Sequence, residues 1–81
     1  MDITVRLFAV LRDKAGVAEL PLTMAEGTSV SDAMESVLQR YPAIAPFANR
    51  VAYAVNLIRV DRQTVLKDGD ELALLPPVSG G

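Results

Sequence analysis

The chain of 81 residues contains no cysteine and no histidine. The lack of cysteine excludes a thiol nucleophile and the usual structural zinc sites. The lack of histidine removes the side chain whose ordinary pKa best suits general base catalysis near neutral pH. A self-contained hydrolase or redox enzyme is hard to assemble from the remaining residues. We therefore expect a chain that binds no metal and no cofactor of its own.

The chain also lacks an excess of positive charge and a long apolar run. Its formal net charge is −2 and its pI is near 4.9, so nucleic acid is not expected as a partner. No apolar stretch approaches the ~20 residues that span a bilayer, and the first residues do not resemble a signal peptide. The composition thus predicts one soluble, cytoplasmic domain that does not act at a membrane.

What is present is a regular alternation of apolar and polar residues. It predicts strands at 2–8, 19–24, 51–55, 58–60 and 71–75, with a further brief segment at 64–66. In the first strand Ile3, Val5 and Leu7 form the core face. Pro21 makes the second strand an edge strand, because proline cannot donate a hydrogen bond to a neighbour.

One helix is predicted clearly. Ser29 stands three residues before Asp32, which is the pattern of a capping box. An apolar stripe follows at helical spacing, and its members are Val30, Ala33, Met34, Val37, Leu38 and Tyr41. Pro42 ends the helix. We expect a helical turn at 10–14 closed by Gly16, and a loop at 42–50 with Phe47 under the sheet.

This order of elements, ββαβββ, predicts an α+β fold of the β-grasp (ubiquitin-like) type. In it a mixed sheet carries one main helix across one face, and the first and last strands run parallel at the centre. Residues 1–75 form this domain. Residues 76–81 form an extended C-terminal tail, since Pro76 and Pro77 cannot continue a strand and favour extended backbone.

The same alternation predicts a docking patch on the sheet face opposite the helix. Because Leu7 and Leu74 point to the core, Phe8 and Leu75 point the other way. Two further residues, Arg6 and Ala73, share that face, and Arg12 is expected near its rim. The alternative is that Phe8 is covered by the loop that follows it.

The last residues, Gly80-Gly81, suit a tail that threads into another enzyme. Glycine has no Cβ, so a diglycine enters a channel too narrow for other residues. The stiff prolines before it reduce the entropy lost when the tail is captured, which is roughly 1–2 kcal/mol per fixed residue. The alternative is a frayed terminus without function.

The sequence resembles the small subunit of molybdopterin synthase, the MoaD family, over its full length. The resemblance is carried by Leu7-Phe8-Ala9, Leu11-Arg12-Asp13, Ala54-Val55-Asn56, Leu66-Lys67-Asp68-Gly69-Asp70-Glu71 and, most specifically, Pro76-Pro77-Val78-Ser79-Gly80-Gly81. The family often has an aromatic residue at the position of Leu75 and apolar residues at that of Arg59.

The resemblance implies a sulfur carrier for molybdenum cofactor biosynthesis. Gly81 would be adenylated by an ATP-using partner that resembles ubiquitin-activating enzymes, and then converted to a thiocarboxylate. The tail, Pro76, Pro77, Val78, Ser79 and Gly80, would thread into the large synthase subunit, where the sulfur attacks a cyclic pyranopterin precursor. Family precedent implies a heterotetramer built on a dimer of large subunits, with this chain as a non-catalytic subunit.

Three other functions remain open from the sequence. The chain could carry sulfur to another product, such as the thiazole of thiamin, although such carriers tend to be shorter and lack the double proline. It could be a protein modifier joined through Gly81 to a lysine of a target. It could also be a ubiquitin-like binding module whose tail is inert.

Overall fold

A computed structural model describes residues 1–77, and the predictions for Val78, Ser79, Gly80 and Gly81 lie outside these residues. The elements in chain order are β1 (Asp2–Leu7), α1 (Ala9–Ala15), β2 (Glu19–Thr23), α2 (Val30–Arg40), a 3-10 helix (Pro42–Arg50), β3 (Ala52–Val55), β4 (Ile58–Val60) and β5 (Glu71–Leu75). None of the helices in residues 1–77 is long and apolar enough to cross a membrane.

The strands form one mixed sheet in the order β2-β1-β5-β3-β4. The first and last strands run parallel beside each other, and every other neighbouring pair is antiparallel. Strand β2, which contains Pro21, lies at one edge as predicted, and the short β4 lies at the other. The predicted α+β, β-grasp architecture is therefore confirmed.

The core lies between the sheet and α2. Ile3, Val5 and Leu7 of β1 are all buried, as are Leu72 and Leu74 of β5. The helix contributes Val30, Ala33, Met34 and Val37, so its apolar stripe faces the sheet as predicted. A side-chain period of two in the strands and of about 3.6 in the helix brings these residues onto facing surfaces.

Local sequence signals determine where both α-helices begin or end. At the start of α2, the Ser29 hydroxyl accepts from the backbone N–H of Asp32, and the Asp32 carboxylate accepts from the N–H of Ser29, both at 3.2 Å. This capping box satisfies two donors that a helix N-terminus otherwise leaves free. Helix α1 ends at Gly16, whose φ of 78° is the left-handed conformation that glycine adopts at low cost.

The loop prediction for residues 42–50 is wrong, because this segment forms a 3-10 helix. Pro42 lies in its first turn, where a proline is tolerated. Ile44 is fully buried and Phe47 is half-buried against the core. Pro46 inside the segment favours a loop from sequence alone, yet the 3-10 helix accommodates it. The brief segment at 64–66 forms only a single bridge, between Ser29 and Val65.

Candidate docking face and tail exit

The sheet surface opposite α2 is uncovered in residues 1–77, and we call it the open face. Strand register determines its members, because residues paired across strands point to the same side of a sheet. They are Asp2, Thr4 and Arg6 on β1, Glu19, Pro21 and Thr23 on β2, Glu71, Ala73 and Leu75 on β5, Ala52 and Ala54 on β3, and Arg59 on β4.

The centre of the open face is flat and apolar. Ala73 of β5 lies between Arg6 of β1 and Ala54 of β3, and Leu75 lies opposite Ala52. Ala54 is only 9% exposed, yet it is not part of the cluster between sheet and helix. Ala52, Ala54 and Ala73 occupy neighbouring positions on this face. Their side chains are small, so a partner can come close to the sheet backbone.

Phe8 extends this surface at the end of β1. Its backbone is extended, with φ −126° and ψ 153°, so the alternation of β1 continues through it to the open side. Its side chain is 40% exposed. The following helix α1 therefore does not cover Phe8, and the alternative in which the loop buries it is not what the structure shows.

Arg6 forms two ion pairs on the open face. Its Nη2 lies 3.3 Å from Oε1 of Glu19, and its Nε lies 3.0 Å from Oε2 of Glu71. The two carboxylates hold the guanidinium flat across three strands. The Nη1 group takes part in neither ion pair within residues 1–77, so its N–H donors stay available to a partner.

Four of the five predicted docking residues lie close together, namely Phe8, Leu75, Arg6 and Ala73. Arg12 is exposed on α1, one turn after Phe8, and within residues 1–77 its side chain forms neither an ion pair nor a hydrogen bond with them. The positions of Phe8, Leu75, Arg6 and Ala73 follow from the course of the strands, and their role in docking stays a prediction.

Four members of this surface were not identified from the sequence, namely Glu19, Glu71, Ala52 and Ala54. Their alternation was visible in the sequence, but their position beside Arg6 or Leu75 depends on which strands become neighbours. That pairing joins residues far apart in the chain, such as Thr4 with Glu71. A sequence pattern within one strand does not contain this information.

The tail leaves the domain at the end of β5, beside the open face. Pro76 and Pro77 follow Leu75 directly, have no regular secondary structure, and are half-buried. They therefore stay in contact with the domain. The Leu75 side chain and the start of the tail are available to one partner at the same time.

Residues 1–77 contain no group of three or more Asp and Glu side chains placed to hold a metal ion. The clearest electrostatic effect lies on the core side, where burial raises the pKa of Tyr53 above its ordinary value of 10.0 and the nearby Arg62 opposes this rise. Tyr53 is thus neutral near pH 7.

Comparison with known proteins identifies the family. A model of the ThiS family matches residues 5–81. The molybdopterin synthase sulfur carrier subunit of Chlamydomonas reinhardtii is 35% identical over 83 residues, which cover all of both chains. Among solved structures, small archaeal modifier protein 1 from Haloferax volcanii has a TM-score of 0.90 at 27% identity, over the whole of both chains.

A further solved structure is a complex of subunits 1 and 2 of the molybdopterin-converting factor from Helicobacter pylori. One chain of that complex matches with a TM-score of 0.71 at 28% identity, and the match covers all of both chains. The family model, the full-length relative and the shared sheet agree with one another. The chain therefore belongs to the ThiS family of ubiquitin-like proteins and is of the molybdopterin synthase small-subunit type.

Proposed function

We propose that this chain carries sulfur on Gly81 for molybdenum cofactor biosynthesis. The observation that carries the proposal is the family match, which continues through residue 81. The full-length similarity to a molybdopterin synthase sulfur carrier subunit supports molybdenum cofactor biosynthesis as the pathway. The open face beside the tail exit supplies a surface by which a partner would hold the domain while the tail reacts.

The chemistry requires activation, because a carboxylate is a poor electrophile and oxide is a poor leaving group. A carboxylate oxygen of Gly81 attacks the α-phosphorus of ATP and releases pyrophosphate, which leaves an acyl adenylate. A persulfide sulfur from a second protein then attacks the carbonyl carbon and expels AMP. A thiol cleaves the resulting acyl disulfide, so the thiol is oxidised to a disulfide and Gly81 keeps a thiocarboxylate.

The catalytic groups for these steps come from partners. An adenylyltransferase resembling ubiquitin-activating enzymes binds ATP, and the large synthase subunit supplies the acid and base groups for sulfur transfer to the pyranopterin precursor. The tail, Pro76 to Gly81, threads into both partners in turn. The Helicobacter pylori complex of two molybdopterin-converting factor subunits supports an assembly of this kind, and we propose a heterotetramer on a dimer of large subunits.

The direct test is intact mass analysis after reaction with the adenylyltransferase, ATP and a persulfide donor. We expect one oxygen to be replaced by sulfur in the wild-type chain and no change in a variant that lacks Gly81. Equal thermal melting of the two proteins controls for folding. An unmodified wild-type chain in the presence of an active adenylyltransferase would contradict the proposal.

Docking on the open face gives a second prediction. Ala73→Arg places a long charged side chain at the flat centre, so we expect binding to the large subunit to weaken by about tenfold or more. Ala43→Arg is the matched control, because Ala43 is exposed on the 3-10 helix. Calorimetric titration of both variants measures the effect, and equal affinities would show that the open face is not the docking surface.

A second candidate function is protein modification. It is favoured by the TM-score of 0.90 with small archaeal modifier protein 1. Adenylation of Gly81 is common to both functions, so an experiment in cells is needed to distinguish them. Loss of molybdoenzyme activity in a deletion strain supports the carrier, a thiamin requirement supports a thiazole pathway, and conjugates of higher mass that disappear with Gly81 support the modifier.

A further inference from the structure

A second apolar surface lies at the β4 edge of the sheet, and the proposed function does not use it. Leu57 is 90% exposed, Ile58 68% and Val65 55%, and these are three of the four large hydrophobic residues exposed in residues 1–77. Ile58 and Val65 line a groove of about 310 Å³ together with Val55 and Val60. An apolar edge strand pairs readily with another strand unless charged residues, prolines, bulges or a covering segment prevent this.

The β3–β4 hairpin shows which backbone groups of this edge are free. A two-residue turn at Asn56 and Leu57 closes on the pair Val55 and Ile58, so Ile58 forms its hydrogen bonds with β3. By alternation Val60 also faces β3, whereas the N–H and C=O of Arg59 point outward. Within residues 1–77 the N–H of Asp61 has no hydrogen-bond partner.

The side chains of these outward residues carry opposite charges. Arg59 forms no ion pair within residues 1–77. The Oδ1 atom of Asp61 accepts from the Gln63 N–H at 3.0 Å and from the Thr64 hydroxyl at 3.3 Å, while Oδ2 has no partner in the described part of the chain. One edge thus presents an unpaired cation and an unpaired carboxylate oxygen two residues apart.

We propose that β4 pairs antiparallel with β4 of a second copy of this chain, about a twofold axis at Val60. In this register Arg59 lies opposite Asp61 of the second copy, and the reverse pair is generated by symmetry. In each such pair the Asp61 N–H donates to the Arg59 C=O of the other copy. The Arg59 N–H donates to the second lone pair of the Asp61 C=O, which already accepts from the Thr64 N–H of its own chain at 3.3 Å. The pair also joins opposite charges on one side of the sheet. The Val60 side chains meet at the axis, next to Ile58 of each copy.

Other registers are less favourable. An axis at Arg59 places two guanidinium groups directly opposite each other, which is destabilising. An axis at Ile58 requires Leu57 to pair as a strand residue, but its φ of 71° belongs to the turn. Charge and backbone geometry therefore select the Val60 register.

The dimer should be weak and reversible. Only the segment from Arg59 to Asp61 pairs, so the interface is smaller than that of a stable complex, and we expect a Kd between about 10 µM and about 1 mM. A net charge of −2 per copy opposes association only slightly. The pairing is independent of the chemistry of Gly81, so its failure leaves the proposed function intact.

Analytical ultracentrifugation of charge-reversed variants tests the pairing. Arg59→Asp creates two carboxylate pairs across the axis, and Asp61→Arg creates two guanidinium pairs, so each variant alone should associate about tenfold or more weakly than wild type. Mixing them restores both complementary pairs, and a heterodimer should form. Lys14→Glu changes the net charge as Arg59→Asp does, on α1, and should dimerise like wild type.

Because Asp61 also stabilises its turn, Asp61→Arg could fail to fold. In that event the double variant Arg59→Asp with Asp61→Asn replaces the mixture, and it should associate more strongly than Arg59→Asp alone. Amide hydrogen exchange adds a second measurement. A higher protein concentration should slow amide exchange at Arg59 and Asp61 but not at Ile58 and Val60. A wild-type chain that stays monomeric at about 1 mM, or one that dimerises as strongly with Arg59→Asp, would overturn the proposal.

Discussion

Arg6 illustrates how single residues shape the open face. Its two ion pairs are formed by side chains that are 37–55% exposed, so each is worth at most about 1 kcal/mol. Their effect is therefore on shape and charge more than on stability. They hold the guanidinium against the sheet, and the apolar centre around Ala73 stays open to a partner.

Tyr53 gives a prediction on the alkaline stability of the domain. Its pKa is raised above 10.0 by burial in the folded state, so the unfolded chain loses this proton at a lower pH than the folded chain. The stability linked to this group is fully present below pH 10.0 and is lost as the pH rises through the folded pKa. We expect the free energy of unfolding to fall above that value in the wild type.

Tyr53→Phe removes the titrating group and should make this fall shallower. Within residues 1–77 the Tyr53 hydroxyl has no hydrogen-bond partner, since none of the side-chain bonds involves it, so the variant should fold normally at neutral pH. Urea unfolding at several pH values provides the measurement. An identical alkaline slope in both proteins would show that Tyr53 is not the group responsible.

At the scale of elements, the β3–β4 hairpin carries an unfavourable turn residue. Asn56 and Leu57 have φ values of 50° and 71°, the left-handed conformations that a type I′ turn requires. Asparagine adopts this conformation readily, but leucine adopts it at a cost. Leu57→Gly should therefore raise the free energy of unfolding by up to about 1 kcal/mol, since the 90% exposed side chain buries little.

The control for this prediction is Leu57→Ala, which shortens the side chain and keeps the unfavourable backbone. It should leave stability almost unchanged, as measured by urea unfolding. If Leu57→Gly were no more stable than Leu57→Ala, the turn would not be strained.

The elements also show which signals are strong in a single sequence. The prediction of α2 was accurate because its signals are all local. They are the capping box at Ser29, the stripe that begins at Val30, and Pro42 just beyond the end of the helix. The 3-10 helix was missed because its burial of Ile44 depends on contacts with α1 and α2, which no local pattern reports.

At the scale of the whole molecule, stability depends on one small core. The free energy of unfolding of a chain of this length is expected to be about 4–12 kcal/mol. Leu72 is fully buried in the central strand, so Leu72→Ala should cost about 2–5 kcal/mol. Leu57→Ala is the matched control, because it is the same substitution at a residue 90% exposed. Urea denaturation compares them, and equal losses would contradict this assignment of the core.

The five strands, the main helix, the two faces of β1 and β5, and the family can all be predicted from the order of the amino acids. These follow from periodicity and from local residues, whose effects act within a few positions along the chain. Tertiary structure alone decided that Arg6 lies between Glu19 and Glu71, that Ala52 and Ala54 complete the open face, and that Arg59 and Asp61 occupy a free edge. Each of these depends on strand order and register, which arise from packing between segments far apart in the chain.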